Sequence, residues 1–205
     1  KQETQISNKN VFKIKPYNYY ETNIIGNEDK LFQDLMHKPE YIIEIIALII
    51  DIEAPVHIDV IIKKVLECYG VTISGRFKKS KILTLCEKLI HDTNTYCKDS
   101  YFYLIDGEEL IIRTREDAKS VKNFNHIHYK EILACIIYIL ENENRIENVA
   151  LIKKVRETFG LKASGSLIKK RIQSCLRRAV DSGIILETEN EIITKGKKYN
   201  TSLRQ

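Results

Sequence analysis

Apolar and polar positions along this chain follow one pattern that occurs twice. The segments IIKKVLECYGVTISG (61–75) and LIKKVRETFGLKASG (151–165) are identical at eight of fifteen positions, with a constant offset of 90 residues. The same offset aligns Ile46 with Ile136. A unit of about 90 residues is too long for a solenoid repeat and has the size of a small domain. The sequence therefore predicts two copies of one small domain.

Each copy begins with two predicted helices. Pro39 suits the opening turn of the first helix. Isoleucines then recur at helical spacing, at Ile42, Ile45, Ile46, Ile49 and Ile50. We expect the second helix to start near the good capping residues Asp59 and Asn148 in the two copies. It should end at Gly70 and Gly160, because a left-handed helix cap favours glycine.

A third helix and a hairpin complete each copy. Ser74-Gly75 and Ser164-Gly165 precede the third helix, and each serine is placed to cap backbone N–H groups. Few residues separate helices two and three, which predicts a helix-turn-helix. At 95–104 and 184–193, two β-favouring runs flank a polar turn. Together these elements predict a winged helix, so the expected fold is mainly α with small β-hairpins (α+β), as two tandem winged-helix domains.

The expected boundaries follow from the repeat. We expect an N-terminal arm at 1–38, a first winged-helix domain with a linker at 39–125, and a second winged-helix domain at 126–205. Alternating residues from Val11 to Ile14 indicate a short strand in the arm, which we expect to pack on the first domain.

Composition narrows the class of protein. The 205 residues are 43% hydrophobic and 30% charged, as in globular proteins, and polar residues interrupt every apolar run before it is long enough to span a bilayer. Residues 1–10 lack the apolar core of a signal peptide, and the first residue is Lys1. We therefore expect a cytoplasmic protein, of which this chain is a fragment.

The cysteines indicate neither a disulfide framework nor a zinc site. Their number is odd, their spacing is irregular and no CxxC pair occurs. Most lie at apolar positions of helical patterns, as small core residues in a reducing compartment do. They are Cys68, Cys86, Cys97, Cys135 and Cys175.

Positive charge is concentrated in the second copy. The net charge is +5, and residues 126–205 hold 15 basic and 9 acidic residues, whereas 39–125 hold 12 and 14. The third helix of this fold is the one that enters a DNA major groove, N-terminal end first. Its cations are therefore our candidate nucleic-acid-binding residues: Arg76, Lys78, Lys79, Lys81, Lys169, Lys170, Arg171, Arg177 and Arg178.

Two features of these cations favour contact with nucleic acid. The segment 164–178 contains no acid, so its five positive charges suit phosphates. In the first copy the cations crowd the start of helix three, where the helix dipole disfavours positive charge. The alternative is a lysine-rich solvated face on a winged helix that docks onto proteins.

Other polar residues are weaker candidates for chemistry. His126 and His128 are spaced like a metal pair, but no third ligand accompanies them in the sequence. His57 suits a local hydrogen bond. For Tyr101 and Tyr103 on the first hairpin, packing is favoured over stacking on bases, because the second hairpin has no aromatic residue.

The sequence also lacks signs of catalysis. The acids Asp106, Glu108 and Glu109 have no base or nucleophile nearby and suit a solvated loop. There is no GxxxxGK loop for nucleotide phosphates. We therefore expect no catalytic residue, no metal and no cofactor, and hence not an enzyme.

Several short motifs resemble one protein family. They are Lys15-Pro16-Tyr17, Glu53-Ala-Pro-Val-His57, Tyr69-Gly70, Ser74-Gly75-Arg76, Arg113 and Ile127-His-Tyr-Lys-Glu-Ile132. Over about 15–195 the chain resembles an uncharacterised conserved domain at the C-terminus of very large bacterial superfamily-one DNA helicase-related proteins. There the domain follows the helicase core, often near a nuclease domain. Ala54 replaces the family's usual glycine, and Lys64 and Lys154 its usual arginines.

The resemblance implies a module that grips or positions DNA while helicase and nuclease domains elsewhere do the chemistry, in DNA repair or genome defence. The implied partners are duplex or forked DNA and the helicase core, in the same or a partner chain, with no membrane and no small-molecule substrate. The alternative is a docking module that binds the helicase core without touching nucleic acid. A free-standing repressor is disfavoured, because no ligand domain or dimerisation helix is present.

Overall fold

The computed structural model describes residues 12–73, 75–92, 94–105, 111–115, 124–161 and 165–199. They form a mixed α+β structure that divides into two compact units. We call the described residues within 16–105 and 124–128 the first unit, and those within 12–15, 111–115 and 129–199 the second unit. No helix in these described ranges is long and apolar enough to cross a membrane.

Short strands alternate with longer helices along the chain. In chain order the elements are β1 (Lys13–Pro16), α1 (Glu28–His37), α2 (Pro39–Glu53), β2 (Val56–His57), α3 (Ile58–Cys68), α4 (Arg76–Asp92), β3 (Thr95–Lys98), β4 (Tyr101–Leu104), β5 (Ile111–Thr114), α5 (Tyr129–Glu143), β6 (Arg145–Glu147), α6 (Asn148–Thr158), α7 (Ser166–Asp181), β7 (Ile185–Glu187) and β8 (Ile192–Lys195). A 3-10 turn at Phe124–His126 precedes α5.

The two units contain the same order of elements. Helices α5, α6 and α7 each begin 90 residues after α2, α3 and α4. In the first unit the antiparallel sheet has the order β2-β4-β3, and in the second unit the order β6-β8-β7. Each sheet thus joins the C-terminal hairpin to a short strand between the first two of these helices. That short strand was not predicted from the sequence.

Apolar stripes on the helices form the cores. The predicted isoleucine stripe of α2 is buried against α3 and α4 in the first unit. In the second unit α5 packs on α6 and α7. The corresponding buried residues of α5 are Ile132, Ala134, Cys135, Ile136, Ile137, Ile139 and Leu140. Because α2 contacts α3 and α4, and α5 contacts α6 and α7, these two helices set the positions of α4 and α7.

The ends of α3 and α6, the second predicted helix of each copy, are only partly as predicted. Gly70 and Gly160 follow α3 and α6 with φ of 64° and 71°, so the prediction that glycine is needed there is confirmed. The starts differ, because His57 caps α3 by accepting the backbone N–H of Asp59 at 3.1 Å. Asn148 is the first residue of α6 rather than its cap. The predicted caps Ser74 and Ser164 lie outside the described residues.

The N-terminal region contains more structure than the predicted arm. Helix α1 begins after Asn27, whose side chain accepts the backbone N–H of Lys30. Strand β1 confirms the predicted short strand, but it pairs with β5 instead of packing on the first copy. Just before β1, the Phe12 ring contacts the Tyr138 ring of α5 edge-on, with centroids 6.0 Å apart. An apolar contact and an available strand edge in the second unit explain this difference.

A buried cluster of charges lies at the start of α5. Glu131 is buried and receives Arg113 Nη2 at 2.9 Å and Arg115 Nη1 at 3.0 Å. The backbone N–H of Arg113 also donates to Glu131, at 2.9 Å. Burial by itself raises the pKa of this carboxyl, but the two guanidinium groups outweigh burial and hold the pKa at about 2. The cluster therefore fixes the β5 segment onto α5.

Replacing Glu131 tests this cluster. We expect Glu131→Gln to lower the free energy of unfolding by about 3–5 kcal/mol, because it removes the buried carboxylate that both guanidinium groups share. Urea denaturation followed by circular dichroism measures the change. The control Glu157→Gln removes an exposed carboxylate paired with Lys153 at 3.9 Å, and should cost less than about 1 kcal/mol. Equal effects of the two substitutions would contradict the assigned role of Glu131.

The same carboxyl predicts a dependence on pH. Its pKa is lowered from 4.5 to about 2 by folding, so its contribution to stability is complete above about 4.5 and is lost as pH falls towards 2. We expect the loss of stability with acid in this window to be shallower in Glu131→Gln than in the wild type. Denaturation at several pH values between 2 and 6 measures the two slopes, and identical slopes would contradict the prediction.

Candidate nucleic-acid interface

Helix α7 buries its apolar side and exposes a basic face to solvent. Its buried residues are Ile172, Cys175, Leu176 and Ala179. Opposite them, the exposed cations are Lys169, Lys170, Arg177 and Arg178. Arg171 is half-buried. Leu167 is 65% exposed, because it lies in the first turn before the helix reaches the core.

Three exposed cations of α7 have no acidic partner among the described residues. Within the described part of the chain, no acidic side chain forms an ion pair with Lys169, Lys170 or Arg177. The Arg178 guanidinium lies 4.2 Å from the centre of the Tyr129 ring, which fixes its direction without neutralising it. At the start of α7 the cap residue is Gly165, which has no side chain to satisfy the free N–H groups of the first turn. This end of α7 therefore combines the positive end of a helix dipole with positive side chains, a combination that suits anions.

The cations of α4 are in a different electrostatic setting. Lys78 forms an ion pair with Glu28 of α1, and Lys79 Nζ lies 3.3 Å from Asp59 Oδ1 of α3. Arg76 and Lys81 are exposed, and Lys81 Nζ lies 5.8 Å from the centre of the Phe77 ring. Two of the four candidate cations of the first unit are thus partly neutralised by acids from neighbouring helices.

The described hairpins carry aromatic and acidic side chains rather than a row of cations like that of α7. In the first unit Tyr101 and Phe102 are buried, and the Tyr103 hydroxyl forms a hydrogen bond with His128, so the prediction of packing is confirmed. In the second unit the hairpin residues Glu187 and Glu189 are exposed acids. Negative charge there repels a polyanion, which favours α7 over the hairpin as the contact surface of the second unit.

Three potential metal ligands meet in the first unit. His57 and His126 stack with ring centroids 4.7 Å apart and planes 12° apart, and Asp59 Oδ2 lies 3.7 and 3.8 Å from their nitrogens. Sequence reasoning missed this group, because His126 is far in the chain from His57 and Asp59. The rings are nearly parallel, so their nitrogen lone pairs do not converge on one point, and Lys79 also pairs with the carboxylate. Burial and the neighbouring His57 lower the pKa of His126.

Motif residues behind the family resemblance make structural contacts. The Tyr17 hydroxyl donates to Glu53 at 2.6 Å, and the Tyr69 hydroxyl donates to Asp34 at 2.8 Å. Arg113 and His57 act in the buried cluster and the helix cap described above. The side-chain pairs among these contacts join residues that are 18 to 36 positions apart. Such pairs cannot be predicted from the sequence alone.

Most of the cysteines have buried thiols with a raised pKa. All five are free, and four are buried. Burial raises the pKa of Cys86 and Cys135 to about 12 and that of Cys175 to about 11. Since the thiolate is the reactive form, these side chains serve as packing groups.

Comparison with known proteins adds no relative to this description. No family model, no curated protein and no solved structure matches the chain.

Proposed function

We propose that this chain is a tandem pair of winged helices that binds DNA without catalysing a reaction on it, with α7 as the contact surface. The observation that carries the proposal is the row of exposed cations on α7 without acidic partners among the described residues. Three helices followed by a hairpin, with a short strand joining the sheet, support the assignment of each unit as a winged helix. In this fold the third helix is the one that reads DNA.

The proposed setting is a larger DNA-processing machine in which other domains supply the chemistry. Phosphate contacts by Lys and Arg give affinity that depends on salt and little on sequence. A module of this kind holds duplex or forked DNA for a helicase core in the same or a partner chain. Repair and genome defence are the expected contexts.

A second candidate function is protein docking by the first unit. Its α4 cations are partly paired, and beside them Phe32 and Phe77 are each 45% exposed, with ring centroids 5.9 Å apart. Exposed aromatic pairs are more typical of protein interfaces than of phosphate sites. The two candidates are compatible if the second unit contacts DNA and the first contacts the helicase core.

Charge reversal on α7 tests the DNA contact. Changing Lys169, Lys170 and Arg177 to Glu should weaken binding uniformly across sequences, because phosphates carry no sequence information. The slope of log affinity against log salt for duplex DNA should flatten by about 0.9 per lost contact, or roughly 3 if all three residues engage. Fluorescence anisotropy at several salt concentrations measures both quantities, with circular dichroism to verify folding.

Matched variants locate the effect. The triple change of Arg76, Lys78 and Lys79 to Glu should weaken binding less, because two of these cations already have acidic partners. Lys153→Glu, at an exposed site on α6, should have little effect. No binding by the wild type at low salt, or binding that the α7 triple change leaves intact, would favour docking as the function.

The absence of catalysis is a separate prediction. We expect the isolated chain to hydrolyse neither nucleotides nor DNA, with or without added Mg²⁺, because its sequence has no phosphate loop and no carboxylate cluster for metal-assisted hydrolysis. Turnover assays on highly purified protein test this. Activity that co-purifies with the chain and disappears with one substitution in it would show the proposal to be wrong.

A further inference from the structure

One large apolar side chain lies among the exposed cations of α7. Leu167 is the second residue of this helix and is 65% exposed, whereas Ile172 and Leu176 of the same helix are buried. Steps of three or four residues lead from Leu167 to Lys170 and on to Arg177, so these three side chains share one face of the helix. The face that we propose to meet DNA therefore carries an apolar group as well as positive charge.

The place of Leu167 in the first turn of α7 gives this apolar group a particular direction. In helix-turn-helix proteins the N-terminal residues of the recognition helix contact the edges of the bases. Cations along such a helix contact phosphates and fix its position on the duplex. Arg177 and Arg178 lie in the second half of α7, while Leu167 lies at the end that enters the groove first. Leu167 is thus placed to meet base edges rather than phosphates.

The chemistry of a leucine side chain restricts which base it can favour. In the major groove of DNA, thymine alone presents an apolar group, its C5 methyl, whereas the other base edges present hydrogen-bond donors and acceptors. A leucine that covers a donor or acceptor removes water from it and offers no hydrogen bond in return, which costs free energy. Contact with the thymine methyl group buries apolar surface on both sides and is favourable.

The first unit has a large apolar side chain at the same position of its third helix. Phe77, 90 positions before Leu167, is the second residue of α4. Its ring lies 5.9 Å from the Phe32 ring of α1 and 5.8 Å from Lys81 Nζ, and it is 45% exposed. An apolar residue thus begins the third helix of both units. In the first unit it packs on another helix, and in the second it is the more exposed of the two.

We infer that Leu167 contacts the C5 methyl group of a thymine in the major groove and gives the second unit a preference for A·T base pairs. This contact rests on the proposed function, in which α7 meets DNA, and adds a base-reading residue to that surface. The expected preference is modest. Burial of one methyl group contributes about 0.8 kcal/mol, which is about fourfold in affinity at 1.4 kcal/mol for each factor of ten. The cations of α7 still supply most of the affinity, independently of sequence.

Exchange of thymine for uracil tests the contact, because the two bases differ only by this methyl group. The probes are a fluorescein-labelled duplex of alternating adenine and thymine, and the same duplex with uracil in place of every thymine. Each is titrated with the full chain and followed by anisotropy at several salt concentrations. Alternation presents a methyl group in every register of the helix on the duplex. We expect the wild type to bind the thymine duplex about fourfold more tightly than the uracil duplex.

Substitutions of Leu167 assign the preference to this side chain. We expect Leu167→Ser to bind both duplexes about as weakly as the wild type binds the uracil duplex, since the methyl group and the leucine act as one pair. Its slope of log affinity against log salt should equal that of the wild type, because no phosphate contact is lost. Leu167→Met keeps an apolar side chain and should retain most of the preference.

A matched control removes an exposed leucine elsewhere. Leu48 is 51% exposed on α2, outside the proposed contact surface, so Leu48→Ser should keep the wild-type preference for thymine. Both leucines are exposed, so both variants should fold, and circular dichroism verifies this.

The outcomes separate this contact from the proposed function on which it rests. Salt-dependent binding with equal affinity for the two duplexes would overturn the role of Leu167 and leave the DNA contact of α7 intact. A preference for thymine that survives in Leu167→Ser would also overturn it, because the methyl groups would then act through the shape of the DNA or through another residue. If neither duplex binds at low salt, the proposed DNA contact fails and the role of Leu167 fails with it.

Discussion

The burial of one side of α7 against α5 is the constraint on which the proposed function depends. Ile172, Cys175, Leu176 and Ala179 are almost fully buried, and a helix with four such residues on one face has little freedom to rotate about its axis. Truncating one large residue in such a core typically costs about 2–5 kcal/mol. The buried apolar stripe therefore holds α7 in one orientation about its axis. That orientation determines which cations face solvent.

The two units share an order of elements but differ in how their charges are compensated. In the first unit acids of α1 and α3 reach the cations of α4, whereas the cations Lys169, Lys170 and Arg177 of α7 have no such partners among the described residues. The same difference between the units is found near the ends of α2 and α5. There Glu53 and Lys64 are buried under an extended segment, while Glu143 and Lys154 are half-exposed. The same order of elements thus supports one shielded and one accessible version of each polar surface.

Local signals in the sequence predicted what depends on local physics. The isoleucine stripe of α2 and the left-handed glycines Gly70 and Gly160 were predicted because periodicity and φ depend on adjacent residues. Helix α1 was missed although Asn27, followed by two acids, is a recognisable start signal. The short strands β2 and β6 were missed because two or three residues are too few for a period.

Interactions between residues that are distant in the chain could not be predicted from the sequence. Lys78 and Glu28 are 50 positions apart, and nothing in either local pattern indicates that α1 packs beside α4. The same is true of Arg113 with Glu131 and of His57 with His126. For the candidate site, the sequence identified the cations and their exposed positions on α7, but not which of them have acidic partners. The acidic partners determine how strongly each surface attracts phosphates. They can be identified only from the tertiary structure.

The most direct test of the account is a lysine footprint with and without duplex DNA. Amine acetylation followed by mass spectrometry reports the reactivity of each lysine at low salt. The account predicts that DNA protects Lys169 and Lys170 strongly and Lys79 weakly, while Lys153, on the exposed side of α6, keeps its reactivity. Protection confined to the first unit, or no protection of Lys169 and Lys170 under conditions where DNA is bound, would contradict α7 as the contact surface.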